Sequence, residues 1–323
     1  MCCRISSGDH GEVTQQVEEP AAAPPVRTAT TESRKAAVAA GITVLLWASA
    51  FVAIRDVGHT ISPAPMALVR LAVAAVALTV LVLATRGRRM IPVPLTRRSL
   101  GMIAACGVLW LAGYTVALNA GEQHVDAGTA AVLVNVAPLL IAFGAGMFLG
   151  EGFPRPLIAG SLVAFGGVAV IAMGSTGDRD RVGVALCLLA AVLYTCSALI
   201  QKVVLRTVDG LTTTWLACVV GAVVLLPWTG RLVDELAAAP TSAILGAVYL
   251  GLFPTAIGFS TWAYALSRMD AGRLSATTYA VPTLSVLLSW LLLSEVPTEY
   301  GLLGGAISLI GVAISRRRPR PTP

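Results

Sequence analysis

The chain has 323 residues, of which 56% are hydrophobic and 12% are charged. A soluble domain carries roughly 25% charged residues, so this composition excludes an ordinary soluble protein and indicates one that crosses a membrane several times. The formal net charge of +6 does not indicate a nucleic-acid partner, because the basic residues are distributed by side of the predicted membrane and form no single patch.

Ten apolar segments are predicted to be membrane-spanning helices, at about 20 residues for each span. They cover approximately residues 36–54, 64–84, 99–119, 127–148, 156–173, 183–201, 212–228, 243–264, 272–293 and 300–315. Residues 1–35 lack apolar periodicity and are expected to be a disordered tail, and residues 317–323 form a short basic tail. Most Lys and Arg residues fall on one predicted side, so both termini are expected in the cytoplasm.

Aromatic and polar residues stand out in the first three spans. Trp47 is followed by small residues that allow close helix approach, and it is either a cavity wall or a packing residue. Arg70 lies about two turns into the second span, where a charge costs roughly 2.5 to 3.5 kcal/mol. Its role is either in substrate binding or gating, or in helix anchoring and internal ion pairing. The spacing of Trp110, Tyr114 and Asn119 places them on one face of the third span.

The sequence pattern of the stretch from Asp126 to Val170 occurs twice in the chain. Asp126, Pro138 and Glu151 recur 144 residues later as Asp270, Pro282 and Glu295. This internal duplication divides the chain into a first repeat, residues 36–174, and a second repeat, residues 183–316. Since five spans is an odd number, the second repeat enters the membrane from the opposite face, and the repeats are predicted to be inverted.

The duplicated prolines and glutamates have different predicted roles. Pro138 and Pro282 lie in the middle of spans, where each bends its helix and frees the carbonyl of the residue four positions earlier. Glu151 and Glu295 end their spans. Capping or pairing with loop arginines would explain one of them, whereas their recurrence favours a shared structural role, with proton coupling as an open alternative.

Further candidate cavity residues come from the fourth span and the second repeat. Asn135 lies one turn before Pro138, and Tyr194 takes the place of Trp47 in the second repeat. The complete predicted substrate-binding set is Trp47, Arg70, Trp110, Tyr114, Asn119, Asn135, Tyr194, Tyr264, Thr278 and Tyr279.

These residues resemble a known group, the drug/metabolite transporter superfamily, and specifically two tandem EamA-type domains over residues 36–316. The resemblance rests on Trp47-Ala48-Ser49-Ala50-Phe51, on Pro65 with Arg70, and on the duplicated Asp-Ala-Gly, mid-span Pro and terminal Glu. It implies a carrier with ten helices in two inverted repeats and a central cavity, which moves small metabolites, amino acids or drugs, often outward. The chain departs from the family in having Ala48 where Gly is usual, and in having no arginine in span seven, where Thr212-Thr213-Thr214-Trp215 stands.

An enzyme is not predicted. The chain has no H-E-x-x-H motif, no P-loop and no Rossmann glycine pattern, and its cysteines lack metal-ligand spacing. No cofactor or metal is therefore expected. The predicted protein is a secondary active exporter in the plasma membrane, a monomer or homodimer, which uses a gradient of H⁺, of another ion or of its substrate. The alternatives are an importer of the same fold and a membrane scaffold or sensor that transports nothing.

Overall fold

The computed structural model describes residues 27–87, 90–91, 95–148, 155–174, 178–294 and 298–315. Within these ranges every regular element is helical and no strand occurs, which confirms the predicted all-α class. Glu151 and Glu295 lie outside the described residues, as do most of the predicted N-terminal tail and the whole of the C-terminal tail. The first helix already begins at Arg27, within the stretch predicted to be tail.

The described residues of the first half of the chain form seven α-helices. They are α1 (Arg27–Val57), α2 (Pro63–Arg86), α3 (Arg97–Cys106), α4 (Thr115–Gly121), α5 (Ala127–Val134), α6 (Ala137–Phe148) and α7 (Arg155–Gly174). A π-helical segment, Gly107–Tyr114, joins α3 to α4 without a break in the chain path. The fourth predicted span is interrupted between α5 and α6, one turn before Pro138, where the proline has no backbone N–H to continue the helix.

In the second half, the residues that the structure describes form eight α-helices. They are α8 (Asp178–Val204), α9 (Gly210–Leu225), α10 (Thr229–Ala238), α11 (Thr241–Leu250), α12 (Gly258–Arg268), α13 (Ala271–Ser275), α14 (Ala280–Leu293) and α15 (Glu299–Ser315). A second π-helical segment, Gly251–Ile257, joins α11 to α12 and contains Pro254. A 3₁₀ turn, Ala276–Tyr279, precedes α14 and Pro282.

Seven stretches of helix in the described ranges are long and apolar enough to cross a membrane. They are Arg34–Val57, Pro63–Arg86, Arg97–Gly121, Ala127–Phe148, Arg181–Val204, Gly210–Ala238 and Thr241–Arg268. Shorter apolar helices run over Ile158–Gly167 and Thr277–Leu293. The described chain is therefore a multi-pass membrane protein.

The helices pack in matching pairs from the two halves. α2 packs on α9, α7 packs on α15, and α1 and α8 each pack on the spans of the other half. The α7–α15 contact brings two backbones together, because a Cβ on Gly167 would meet the carbonyl of Gly304 and one on Gly311 would meet that of Gly160. These four glycines form two pairs 144 residues apart. This contact is therefore made by equivalent residues from each side.

Candidate functional site

A cavity lies among α1, α2, α4, α5, α8, α12 and α14, beside the first π-helical segment. It is formed by both halves of the chain, and most of its wall is apolar. Its lining residues are Trp47, Ala50, Phe51, Arg70, Trp110, Tyr114, Leu118, Ala131, Val134, Asn135, Tyr194, Phe259, Thr278 and Val281.

Arg70 provides the positive charge of this cavity. Its side chain is 2% exposed, and Nε donates a 2.6 Å hydrogen bond to Oγ1 of Thr255. The Thr255 hydroxyl in turn donates to the carbonyl of Leu250 at 2.7 Å, so its oxygen is held towards the guanidinium. Nη1 of Arg70 is buried and has no hydrogen-bond partner. A buried cationic donor without a partner is costly, and an anionic ligand in the cavity would satisfy it.

An aromatic cluster forms the wall beside this charge. The Trp47 ring centroid lies 6.0 Å from those of Trp110 and Tyr194, 5.6 Å from that of Phe259 and 5.0 Å from that of Trp262. Trp110 and Tyr194 are stacked at 5.0 Å. Aromatic rings in such edge-to-face and stacked pairs gain free energy beyond the burial of their area, which makes this wall rigid.

Among the residues of the aromatic cluster that line the cavity, two buried polar atoms have no hydrogen-bond partner. Nε1 of Trp47 and Oη of Tyr194 are buried without a hydrogen bond, although both residues line the cavity. Aromatic residues of this kind present an apolar body together with a polar tip. The wall can therefore cover an apolar group and still hydrogen-bond to a polar one.

Interrupted helices supply the remaining polar lining. Asn135 follows α5 directly, at the break before α6, and its backbone N–H bonds to the carbonyl of Ala131 at 3.1 Å. Thr278 lies in the 3₁₀ turn, where its hydroxyl donates to the carbonyl of Ser275 at 2.7 Å. Irregular backbone at membrane depth is tolerated where it is buried in protein or lines a cavity, and both residues line this one.

Seven of the ten predicted substrate-binding residues line the cavity, and Asn119, Tyr264 and Tyr279 do not. Asn119 is fully buried and donates from Nδ2 to the carbonyl of Pro63 at 3.0 Å, which fixes the start of α2. The ring of Tyr264 lies under the Arg268 guanidinium, 3.7 Å from its central carbon. Tyr279 packs against a small cluster that contains Leu139. Whether any of the ten binds a substrate remains a prediction.

Three residues at the candidate site were not predicted from the sequence. Phe259 lines the cavity, and Thr255 accepts a hydrogen bond from Arg70. Both follow Pro254, and a proline inside an apolar span was the available signal for this segment. Glu122, which directly follows α4, is 1% exposed and interacts electrostatically with Arg70. Among the described residues no group of three or more His, Cys, Asp or Glu side chains could hold a metal ion.

Comparisons with known proteins assign the family. Residues 34–173 and 181–317 each match the EamA-like transporter family. A "Probable terminal-alkyne amino-acid exporter" of Streptantibioticus cattleyicolor is 39% identical over 284 residues, which are 88% of this chain and 94% of that protein. An uncharacterised transporter of Bacillus subtilis, YdfC, is 33% identical over 84% of this chain and 87% of its own length.

A solved structure supports the fold alone. One crystal structure superimposes with a TM-score of 0.63 at 20% sequence identity, over 87% of this chain and 96% of the other. The two family matches lie one on each half of the described helices, and the two relatives cover both halves. The chain therefore belongs to the EamA-like transporter family and is a multi-pass membrane transporter.

Proposed function

We propose that the protein is a secondary active exporter of small amphipathic carboxylates, with amino acids that carry an apolar side chain as the first candidates. The observation that carries this proposal is the arrangement around Arg70. Its buried Nη1 lacks a partner in a cavity that is also lined by a cluster of aromatic rings. A carboxylate matches the guanidinium, and an apolar side chain matches the rings.

Transport is proposed to follow alternating access between two inverted repeats of five helices each, ten in all. Support comes from the matched interruptions of the two halves, since the two π-helical segments begin at Gly107 and Gly251, 144 residues apart. The glycine contacts between α7 and α15 have the same spacing. Repeats of this kind place the substrate between them and expose it to one side of the membrane at a time. The proposed location is the plasma membrane, with both termini in the cytoplasm.

The name of the Streptantibioticus relative supports the outward direction and the amino-acid class. An amino acid with a short hydrocarbon side chain combines a carboxylate for Arg70 with an apolar group for the aromatic rings. The proposal for the present chain is the class of substrate, defined by one carboxylate and one apolar group, and not a particular compound.

Coupling to H⁺ or to another ion is part of the proposal. Glu122 is the only buried carboxylate in the part of the chain that the structure describes, and it interacts electrostatically with Arg70. The carboxylate of Glu122 would compete with a substrate carboxylate for Arg70, and protonation of Glu122 would remove that competition. Glu122 thus joins Glu151 and Glu295 as a proposed coupling residue. The protein is proposed to act as a monomer or homodimer.

The proposal is tested by comparing cells that produce the parent chain, Arg70→Ala or Arg206→Ala at equal levels. Arg206 is exposed at the end of α8, away from the cavity, and serves as the control for loss of a positive charge. We expect parent and control cells to release amphipathic amino acids into the medium, and Arg70→Ala to lower that release more than about tenfold, because a charge-assisted pair is lost. Unchanged release by Arg70→Ala would remove Arg70 from the site.

Ligand binding provides a second readout that does not depend on direction. Binding to the folded state raises apparent thermal stability, so a purified carrier should be stabilised by amino acids with alkyl side chains and not by their carboxamides. Uptake in place of release would favour an importer. Absence of any stabilisation across the panel would favour a membrane scaffold or sensor.

A further inference from the structure

Two basic residues lie near the ends of equivalent helices, one in each predicted repeat. Arg55 lies eight residues after Trp47 near the end of α1, and Lys202 lies eight residues after Tyr194 near the end of α8. Tyr194 follows Trp47 by 147 residues, and Lys202 follows Arg55 by the same number. Neither basic residue lines the cavity, so the substrate-binding proposal gives them no role.

Arg55 joins α1 to the end of α4. Its Nη1 donates a 2.6 Å hydrogen bond to the backbone carbonyl of Glu122, the residue that directly follows α4. Nε2 of Gln123 returns a 3.3 Å hydrogen bond to the carbonyl of Gly58, just after α1. We call the Arg55–Glu122 hydrogen bond the Arg55 latch.

Lys202 joins α8 to the end of α12 in the same way. Its Nζ donates to the backbone carbonyl of Leu266 at 2.8 Å and to that of Met269 at 2.6 Å. Leu266 lies in the last turn of α12, and it follows Glu122 by 144 residues. We call these two hydrogen bonds the Lys202 latch.

Both latches use the same physical chemistry. The last carbonyls of a helix have no partner within the helix, and they form the negative end of its dipole. A cation from a neighbouring helix satisfies them with charge-assisted hydrogen bonds, which are about twice as strong as neutral ones. All three acceptors are backbone carbonyls at helix ends, so the Arg55 latch ties the end of α1 to the end of α4 and the Lys202 latch ties the end of α8 to the end of α12.

We propose that the Arg55 latch and the Lys202 latch close opposite faces of the transporter, and that they open alternately during the transport cycle. This inference rests on the proposed function, since it assigns the residues that control access to the same cavity. Both latches are formed in the structure, which is therefore closed at both helix pairs. If α1 and α8 begin on the two membrane faces, as inverted repeats require, their latched ends lie on opposite faces as well.

A buried polar row on α8 supports opening at the Lys202 latch. Oη of Tyr194, Oγ of Ser197 and Oε1 of Gln201 lie on one side of this helix, between the cavity and Lys202. Their residues are 4%, 0% and 3% exposed, and none of these three atoms has a hydrogen-bond partner. Leaving such groups without partners is unfavourable. A state in which the end of α8 moves away from α12 would expose the row to water, which would supply hydrogen-bond partners for its three polar atoms.

Native cysteines provide a reporter beside each latch. The thiol of Cys106 is buried and donates to the carbonyl of Ser197 at 3.7 Å, within the polar row. Cys187 is buried against Gly121, the last residue of α4, because a Cβ there would lie 2.7 Å from its sulfur. Cys196 is exposed on another face of α8 and serves as the internal reference.

The experiment compares N-ethylmaleimide labelling of these three thiols in the purified parent chain, Lys202→Met and Arg55→Met, with peptide mass spectrometry as the readout. Loss of a charge-assisted hydrogen bond should shift the opening equilibrium by roughly tenfold or more. We expect Lys202→Met to increase the labelling rate of Cys106 about tenfold without changing that of Cys187. Arg55→Met should do the reverse, and Cys196 should label equally in all three.

Conservative variants and exposed controls separate a latch from a general loss of structure. Lys202→Arg should restore the parent labelling pattern, because it keeps the cation. Arg181→Met and Arg206→Met remove exposed arginines near the start of α8 and just after its end. They should leave the labelling rates of Cys106 and Cys187 at the parent values. The inference is overturned if Cys106 and Cys187 change together in each variant, or if neither changes.

The double variant gives a second, independent test in export assays. Each single variant biases the equilibrium towards one open state and should slow transport about tenfold, because the other state becomes rare. Arg55→Met with Lys202→Met removes both biases, so its rate should exceed that of either single variant. Additive losses would contradict the inference. The labelling result needs no substrate, so it stands or fails separately from the proposed carboxylate export.

Discussion

The two π-helical segments, Gly107–Tyr114 and Gly251–Ile257, have the same backbone packing. A Cβ on Gly107 would lie 2.8 Å from the carbonyl oxygen of Ala217 and 2.8 Å from Cβ of Val220. A Cβ on Gly251 would lie 2.8 Å from the carbonyl oxygen of Arg70 and 2.6 Å from Cβ of Val73. Each glycine thus allows one π-helical span to approach the helix of the other half, α9 in one case and α2 in the other.

The side chains at these matched places differ. The structure makes Ala217 the counterpart of Arg70, two residues beyond the Thr212–Trp215 stretch that the sequence suggested. Leu111 stands 144 residues before Thr255, so the hydroxyl that accepts from Arg70 is missing as well. Arg70 therefore has no cationic counterpart at the matched place of the other half. Under the proposed function, one cation holds one carboxylate in one orientation, which suits a zwitterion or an acid better than a symmetrical ligand.

The largest effect is expected from filling the matched glycines. Gly107→Ala and Gly251→Ala each force a methyl group against backbone and valine atoms, and such overpacking costs about 1 to 3 kcal/mol. We expect similar losses of thermal stability from the two variants, because the contacts are equivalent. Only Gly251→Ala should also weaken ligand binding, since it displaces the backbone of Arg70. A variant of Gly101, where a Cβ meets nothing, serves as the control. Equal binding losses at both π-helical glycines would show that the site does not depend on Arg70.

A smaller effect is expected from Thr255→Val, which keeps the shape of the side chain and removes the acceptor of Arg70 Nε. A buried donor on a charged group then loses its partner, at a cost of about 1.5 to 3 kcal/mol in the empty protein. Because a bound carboxylate recovers part of that cost, the net effect is expected to be smaller than that of filling either glycine. The matched control is Thr115→Val, in which a buried hydroxyl bonds only to the carbonyl of Trp110. Calorimetry of ligand binding should show a change of affinity for Thr255→Val alone. Equal affinities in both variants would contradict the role of Thr255.

Much of the fold follows from the sequence, because the signals are repeated. Composition predicts a membrane protein, and the recurrence of Asp126 and Pro138 as Asp270 and Pro282 identifies the duplicated halves. The cavity was also largely predictable, since an arginine inside a span has few stable positions other than a protein interior. Trp47, Trp110 and Tyr194 follow from the same reasoning, because aromatic residues near such a charge face protein and not lipid.

The orientation of α12 was not predictable from helical spacing. A π-helical segment contains more residues for each turn than an α-helix, so the face that follows it is rotated from the one that α-helical periodicity predicts. Tyr264 was assigned to the cavity because its span is rich in polar residues, whereas Phe259 of the same helix lines it. Glu122 shows a second limit. A carboxylate just beyond a span reads as a loop residue, whereas α4, which Glu122 directly follows, packs against α2 and α8, and the Glu122 side chain is 1% exposed.

The smallest effect is expected where α2 and α9 begin. Ser62 makes no side-chain cap for α2, whereas Asp209 accepts from the backbone N–H of Thr212 at 3.0 Å and from Nη2 of Arg86 at 2.7 Å. Burial alone would raise the pKa of Asp209, but the hydrogen bonds from Arg86 and Thr212 outweigh it and hold the pKa below its ordinary value. A depressed pKa stabilises the fold above the ordinary aspartate range, and this contribution is lost as the pH falls through the folded-state value.

Asp209→Asn keeps a good N-cap and loses only a partly exposed ion pair. We therefore expect the free energy of unfolding to fall by less than about 1 kcal/mol at neutral pH, and this loss should disappear in acid. Melting curves of both chains from neutral to acidic pH should converge, and a constant gap would mean that the charge of Asp209 contributes nothing.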